Sequence, residues 1–291
     1  MRRSTVRANL LGLAFIAPNF LLMFVFVAYP VIFSFVLAFT DWDLVSGFGN
    51  IHFVGLANFR EMISDPWFQK AFVNNIVFSL TVVPGSLVFG LAAAVLIQDF
   101  ALGKQGFRLA LFLPHISNIV AVSIVWSILY SNVGPIFGLL RSLGVANPPN
   151  FLADTRWALP SIIVMTIWGS VGYVALIYSA GLQGIPDELY EAATIDGASW
   201  GRKLFAVTLP GLRSTTFFLL ITQVIGSFKV FAQIQVMTEG GPAGATSVLA
   251  YYIYESAFRF YRFGYASAMA LVLFAIVIAF TLVQWRRQDG R

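Results

Sequence analysis

The segment IPDELYEAATIDGASWGRKLFAVTLPGLRS, Ile185–Ser214, decides how the rest of the chain is read. It opens as a helix: Pro186 suits a first turn, and Asp187 and Glu188 favour the positive end of the helix dipole. Glu191, Ala192 and Ala193 continue it. A break is expected at Asp196-Gly197, where glycine permits a left-handed turn. A second helix is expected from about Ala198 to Val207, with Leu204 and Val207 on one side and Arg202 and Lys203 on another. Pro210 is expected to stop it. Two short helices bent at a glycine make a compact knob, and Ala192 and Ala193 permit close approach by another protein. The residues alone are equally compatible with an amphipathic loop lying on a lipid surface.

The stretches on either side of this segment are strongly apolar, roughly 158–181 and 214–237. The same pattern recurs at roughly 10–38, 72–97, 108–130 and 264–285. Each is long enough to cross a hydrocarbon core, which takes about 20 residues. Pro18 and Pro30 interrupt the first, Pro84 the second and Pro114 the third. Such kinks are tolerated in membrane helices where neighbours satisfy the freed carbonyls. The sequence therefore predicts an all-α, polytopic membrane protein with six transmembrane helices.

Composition agrees. Of 291 residues 58% are hydrophobic and 11% are charged, with mean hydropathy +0.81; soluble domains carry about 25% charged residues. A net charge of +5 invites a nucleic-acid reading. The few charges sit between apolar runs, with no basic stripe interleaved with aromatics, so no nucleic-acid partner is expected. Cysteine is absent, which excludes disulfides and thiolate metal sites. His52 and His115 are far apart and form no HExxH, so no metal is expected. The N-terminal MRRSTVRANLLGLAF places Arg2, Arg3 and Arg7 before a run free of charge from Ala8 to Phe39. A cleavable signal has an apolar region of only about 7–15 residues. The reading is a retained first transmembrane helix.

Orientation follows the positive-inside rule. With both termini cytoplasmic, the inside holds Arg2, Arg3, Arg7, Lys104, Arg108, Arg202, Lys203, Arg213, Arg286, Arg287 and Arg291. The outside holds Arg60, Lys70, Arg141, Arg156, Arg259 and Arg262, and Lys229 falls inside a helix. The knob is then cytoplasmic. Three long outer loops remain, roughly 40–71, 131–157 and 238–263, the second with Asn147-Pro148-Pro149-Asn150. They read either as short helices that dock a partner or as turns that join spans.

Polar residues at membrane depth mark functional positions. Thr166, Gly169, Ser170 and Tyr173 stand at i, i+3, i+4 and i+7 and share a helical face. Gln223 and Ser227 share another, with Lys229 nearby, and His115 and Asn118 lie one turn apart. Small polar residues also line helix interfaces simply to pack. Lys229 either snorkels, pairs with a partner carboxylate or meets an anionic substrate, and His115 also reads as a helix-end packing residue.

Glu191-Ala192-Ala193, Gly197 and Val207-Thr208-Leu209-Pro210, at their spacing, resemble the EAA loop of ABC importer permeases. The sequence departs from many members at Arg213, where they have proline. Phe53-Val54-Gly55-Leu56-Ala57-Asn58-Phe59, Leu113-Pro114 and Met237-Thr238-Glu239-Gly240-Gly241-Pro242 resemble the carbohydrate-uptake, maltose- and glycerol-phosphate-type branch, of the first-permease kind. The resemblance covers essentially the whole chain.

It implies the type I ABC importer transmembrane fold in the bacterial inner membrane. An N-terminal helix and outer loop would occupy 1–70, the transmembrane core 71–286 and a cytoplasmic tail 287–291. It implies an ATPase-coupling helix involving Glu191, Ala192, Ala193, Asp196, Gly197, Leu209 and Pro210. Substrate-pathway positions would be His115, Thr166, Gly169, Ser170, Tyr173, Gln223 and Ser227, to which the residue reading adds Lys229. The implied partners are a second homologous permease as a heterodimer, an ATP-binding subunit dimer, an extracytoplasmic solute-binding protein, a sugar-like substrate and membrane lipid. No cofactor is implied, and ATP hydrolysis belongs to another subunit. Gly103-Lys104 lacks the rest of a phosphate-cradling GxxxxGK[ST] loop.

The alternative from a different class is an ion-coupled secondary transporter, which usually has inverted repeats and intramembrane acids. Neither is found: every Asp and Glu lies outside the six stretches. A membrane enzyme needs convergent carboxylates or histidines, and no such constellation is present.

Overall fold

The computed structural model describes residues 2–43, 45, 47, 49, 51–99 and 104–289, with the side chains of 2–11, 98, 99, 104, 105, 108 and 287–289 left out. The side chains of Arg2, Arg3, Arg7, Lys104, Arg108 and Arg287, residues Gly103 and Arg291, and the expected tail 287–291 as a side-chain surface therefore lie outside the described residues.

The chain divides into two compact units, Met1–Asp65 with Ile253–Phe274, and Pro66–Tyr252 with Ala275–Arg291. In the first, α1 (Arg2–Met23) passes through a π-turn (Phe24–Ala28) into α2 (Tyr29–Leu37). The wider turn immediately precedes Pro30. Proline lacks an N–H and its ring crowds the carbonyl one turn back, and a π-turn relieves both without ending the helix. The outward side chains of this helix are apolar and exposed from Leu13 to Val36, as a lipid-facing helix requires.

Beyond it, strands β1 (Thr40–Asp41) and β2 (His52–Phe53) make a two-residue antiparallel ladder, a small addition to the all-helical expectation. Asn58 of α3 (Ala57–Ser64) donates to the Ala38 and Thr40 carbonyls at 3.0 Å each. Buried Trp42 lies between the rings of Phe33 and Phe263, and the Gly264 amide donates to the Trp42 carbonyl at 3.1 Å.

The second unit is built on α4 (Pro66–Asp99), packed along its length against α8 (Ala158–Gln183). Between them in sequence come α5 (Lys104–Ile116), α6 (Ile119–Leu129) and α7 (Pro135–Ser142). The stretch 108–130, expected as one helix, is broken: α5 and α6 meet at 105°. Asn118 has extended backbone, and its Oδ1 accepts from the Val120 amide at 2.9 Å, capping a new helix. Pro114 had suggested a kink; the capping asparagine four residues later makes a full break. Where α5 crosses α8, a Cβ on Gly172 would stand 1.7 Å from the Leu111 carbonyl oxygen, so only glycine lets the two backbones approach this closely.

After α8 come α9 (Asp187–Ile195), α10 (Trp200–Lys203), a second π-turn (Leu204–Thr208), α11 (Leu209–Gly211) and α12 (Arg213–Phe228). The expectation that Pro210 ends the second short helix is corrected. As at Pro30, a π-turn precedes the proline and the helix runs through to Gly211, bending by 69° only at Leu212. The fifth stretch, expected as one helix over 214–237, is also broken. Helix α12 stops at Phe228, and α13 (Ala232–Met237) starts after an irregular Lys229–Phe231.

A tight loop leads to α14 (Leu249–Tyr254), a third π-turn (Glu255–Arg259) and α15 (Phe263–Asp289). Among the described residues four helices are long and apolar enough to cross a membrane, or up to six if each bent pair is one span. The larger core cluster of the second unit centres on Phe78, Ile162, Met165, Ile234 and Tyr251. A smaller one, around Tyr178, Leu182, Leu212 and Leu219, supports the base of the knob.

Candidate functional site: a bent knob and an open helical face

Both candidate regions belong to the second unit. The knob begins where α8 ends at Gly184. Helix α9 closes at Asp196 with Gly197 at φ +71°; the Ala198 amide donates to the Ala193 carbonyl at 2.9 Å and the Gly197 amide to that of Thr194 at 3.0 Å. This is the glycine-terminated helix end in which a left-handed residue turns the chain back over the last carbonyls. The return helix is fastened to α9 by side chains. Tyr190 and Thr208 hydroxyls lie 3.0 Å apart, and Lys203 donates to Thr194 Oγ1 at 2.8 Å.

Nothing in α9 is buried. Glu191, Ala192, Asp196 and Gly197 are exposed, Ala193 is half-buried, Leu209 is half-buried and Pro210 exposed. Leu189, Ile195, Trp200 and Phe205 are 51%, 86%, 65% and 71% exposed, which is a large apolar display on a segment this polar. Between the two arms lies a cleft of about 450 Å³ lined by Asp187, Tyr190, Glu191, Trp200 and Lys203 among others. The sequence reading singled out the glycine and the alanines but not Tyr190, Thr208 or Trp200. A tyrosine and a threonine on opposite arms were the available signal.

The second region is the face of α8 carrying Thr166, Gly169, Ser170 and Tyr173, all half-buried. A Cβ on Gly169 would meet nothing within 4 Å, in contrast to the crowded Gly172. The Thr166 hydroxyl donates to its own helix at Ile162 O, 2.8 Å. Tyr173 stacks on exposed His115, with centroids 4.8 Å apart and planes 18° apart. The close approach at Gly172 is what brings α5 near enough for that stack. The reading that set His115 and Asn118 one turn apart on a helix is corrected: His115 ends α5, and Asn118 caps α6 beyond the break.

On α12, Ser227 is 5% exposed and donates to Ser79 Oγ on α4 at 2.8 Å, a contact between packed helices. Gln223 is half-buried and its Nε2 has no hydrogen-bond partner among the described residues. Lys229 is not inside a helix as expected; it caps α12 and its side chain is exposed.

One feature escaped the sequence reading. The loop after α13 is held from α4: Asn74 Nδ2 donates to the Gly244 and Ser247 carbonyls at 3.0 and 2.9 Å, and Lys70 to that of Ala243 at 2.6 Å. Within the loop Glu239 and Ala243 adopt φ +49°, and the Tyr251 hydroxyl donates to Glu239 O at 2.9 Å. The paired amides Asn74-Asn75 at the head of an apolar run were the clue.

The sequence signature of the family described as "Binding-protein-dependent transport system inner membrane component" matches residues 9–286. The lactose transport system permease protein LacF of Rhizobium radiobacter is 36% identical over 281 residues, 94% of this chain and 92% of that one. The diacetylchitobiose uptake system permease protein NgcF of Streptomyces coelicolor is 32% identical over 283 residues, 92% of this chain and 79% of that one. Among solved structures, a bacterial alginate ABC transporter in complex with an alginate pentasaccharide-bound periplasmic protein contains a chain that superposes with a TM-score of 0.80. That match has 22% identity and covers 97% of this chain and 94% of the other.

Proposed function

The chain belongs to the family of inner membrane components of binding-protein-dependent transport systems, and we propose that it forms one half of the membrane pathway of an ATP-driven saccharide importer. It has the type I ABC importer permease fold, resides in the inner membrane and is a transport subunit rather than an enzyme. The reading adds six spans, counting α5 with α6 and α12 with α13 as one each, and cytoplasmic termini. It also adds a second homologous permease, an ATPase dimer and an extracytoplasmic solute-binding protein.

One observation carries the reading: the knob from Asp187 to Gly211 is bent at Gly197, tied internally by Tyr190 and Thr208, and has no residue of α9 buried among the described residues. An exposed rigid elbow with Trp200, Phe205 and Ile195 on its surface suits a socket in another protein. Glu191, Ala192, Ala193, Asp196 and Gly197 lie on its outer arm, Leu209 and Pro210 where it re-enters the apolar run. A push on this elbow reaches α12 through Leu212, which is fully buried in the cluster at the knob's base.

The substrate face is assigned to Thr166, Gly169, Ser170, Tyr173 and His115, with Gln223 and Lys229 from the broken helix; Ser227, expected among them, instead packs against Ser79. A flat aromatic stack beside small polar residues suits a sugar ring, which presents C–H bonds on one face and hydroxyls at its edge. The saccharide class draws on what LacF and NgcF are named for.

The test is purification through a tag on this chain after expression with its neighbouring transport subunits. Retention of an ATPase and a second permease, loss of the ATPase on Gly197→Val, and saccharide uptake in reconstituted vesicles are expected. A complex that forms equally well without the elbow refutes the reading. Reporter fusions at both ends test the orientation.

A further inference from the structure

We propose that Lys229 is an anion-recognition residue of the pathway and that the saccharide carried is acidic, bearing a carboxylate or comparable anionic group. The inference rests on the importer reading above and names its substrate class.

The argument starts from depth. Helix α12 runs sixteen residues from Arg213 to Phe228, about 24 Å at 1.5 Å per residue, and α13 continues the run to Met237. Lys229 therefore stands within a hydrocarbon core of about 30 Å. A charge there is costly, and such residues usually face a water-filled cavity or a partner of opposite charge.

Among the described residues the Lys229 side chain has no ion-pair or hydrogen-bond partner. Every Asp and Glu in the sequence lies outside the six apolar stretches. The ion pairs Arg259–Glu255 and Arg262–Glu61 lie elsewhere. Its neighbours Phe228 and Val230 are each 5% exposed, whereas Lys229 is exposed. The ammonium group thus points away from the packed body of the unit.

The surface around it has the character of a cavity wall. Phe218, Thr222, Gly226 and Lys229 form one stripe along α12, at i, i+4, i+8 and i+11. Above Phe218 the stripe turns small and polar. A Cβ on Gly226 would meet nothing within 4 Å, as at Gly169 on α8. The backbone beside Lys229 is irregular: Phe231 has φ −143° and ψ −57°, and helix resumes only at Ala232. Non-helical backbone at membrane depth persists where it is buried in protein or lines a water-filled cavity, and interrupted helices are a common setting for solute sites in transporters. The free carbonyls at the end of α12 favour a cation at this position. A fixed cation on an open, acid-free wall selects an anionic solute.

The experiment uses the full importer complex in reconstituted vesicles, with uronic-acid oligosaccharides each paired with its methyl ester, and phosphorylated and sulfonated hexoses each paired with the parent hexose. The wild type is expected to take up an anionic member about tenfold or more faster than its neutral twin, the scale of one charge-assisted hydrogen bond. Lys229→Met should abolish that preference, read as the ratio of acid to ester uptake, and Lys229→Arg should keep most of it. Equal uptake of acid and ester by wild type, or an acid preference that survives Lys229→Met, overturns the inference while the importer reading stands. A Lys229→Met complex that no longer retains the second permease also overturns it, since the lysine would then be a subunit contact. Failure of the wild type to move any saccharide refutes the broader reading, and this inference with it.

Discussion

Tyr173 lies nearly parallel to His115 at a centroid separation of 4.8 Å, across two helices held together by the missing side chain of Gly172. A half-buried phenol ring backed by an exposed imidazole is a rigid platform, and its stiffness comes from helix packing rather than from either residue. Aromatic pairs of this kind contribute about 0.5–1.5 kcal/mol beyond area burial.

Tyr173→Ala is therefore expected to weaken uptake several-fold, on the order of one such pair, with ATP hydrolysis by the complex still coupled to transport. Tyr173→Phe should retain most activity, because the stack survives. Uptake kinetics that do not change in Tyr173→Ala remove the residue from the pathway.

Gly172 and Gly169 make a matched pair of substitutions. Gly172→Ala puts a methyl 1.7 Å from the Leu111 carbonyl oxygen, and backbone on backbone cannot yield locally. A loss of about 1–3 kcal/mol or more is expected from overpacking, read as a lower melting temperature in detergent. Gly169→Ala meets open space and should melt like wild type. Equal melting of the two variants would contradict the packing described here.

At the knob, Gly197→Val forces a β-branched residue to φ +71°, costing roughly 1–3 kcal/mol if the turn is kept. Transport should be abolished while membrane insertion, followed by protease protection, stays normal. Gly197→Asn should be milder, since asparagine enters the left-handed region more readily.

Tyr190→Phe deletes the 3.0 Å contact to Thr208 and removes one of the two side-chain ties between the arms of the elbow, leaving Lys203 to Thr194. A hydrogen bond worth about 1 kcal/mol corresponds to about a fivefold effect. The expected phenotype is uptake per ATP reduced by about that factor, with the ATPase still bound. Wild-type stoichiometry in Tyr190→Phe would show that the tie carries no motion.

Much of this protein was legible from residues in a row. The apolar stretches of 158–181 and 264–285 are helices Ala158–Gln183 and Phe263–Asp289, because length and hydropathy are local properties that lipid makes decisive. The turn at Gly197 was equally legible, since glycine is the residue that most readily takes the left-handed backbone of a helix end. The breaks were not. Asn118 reads as one more polar residue in a span until its Oδ1 is seen capping α6, and Lys229 reads as helical until α12 stops beside it. The run of helix through Pro210 was missed because the π-turn before it depends on hydrogen-bond register, which composition does not encode.

The sequence by itself determined a greasy helical chain with a bent polar knob, because burial in lipid and backbone preference act residue by residue. Only the tertiary structure decided which glycines are packing surfaces and which face open space, that Ser227 is occupied by Ser79, and that His115 meets Tyr173. Those facts depend on which distant helix lies alongside, and helical periodicity specifies a face without naming its neighbour.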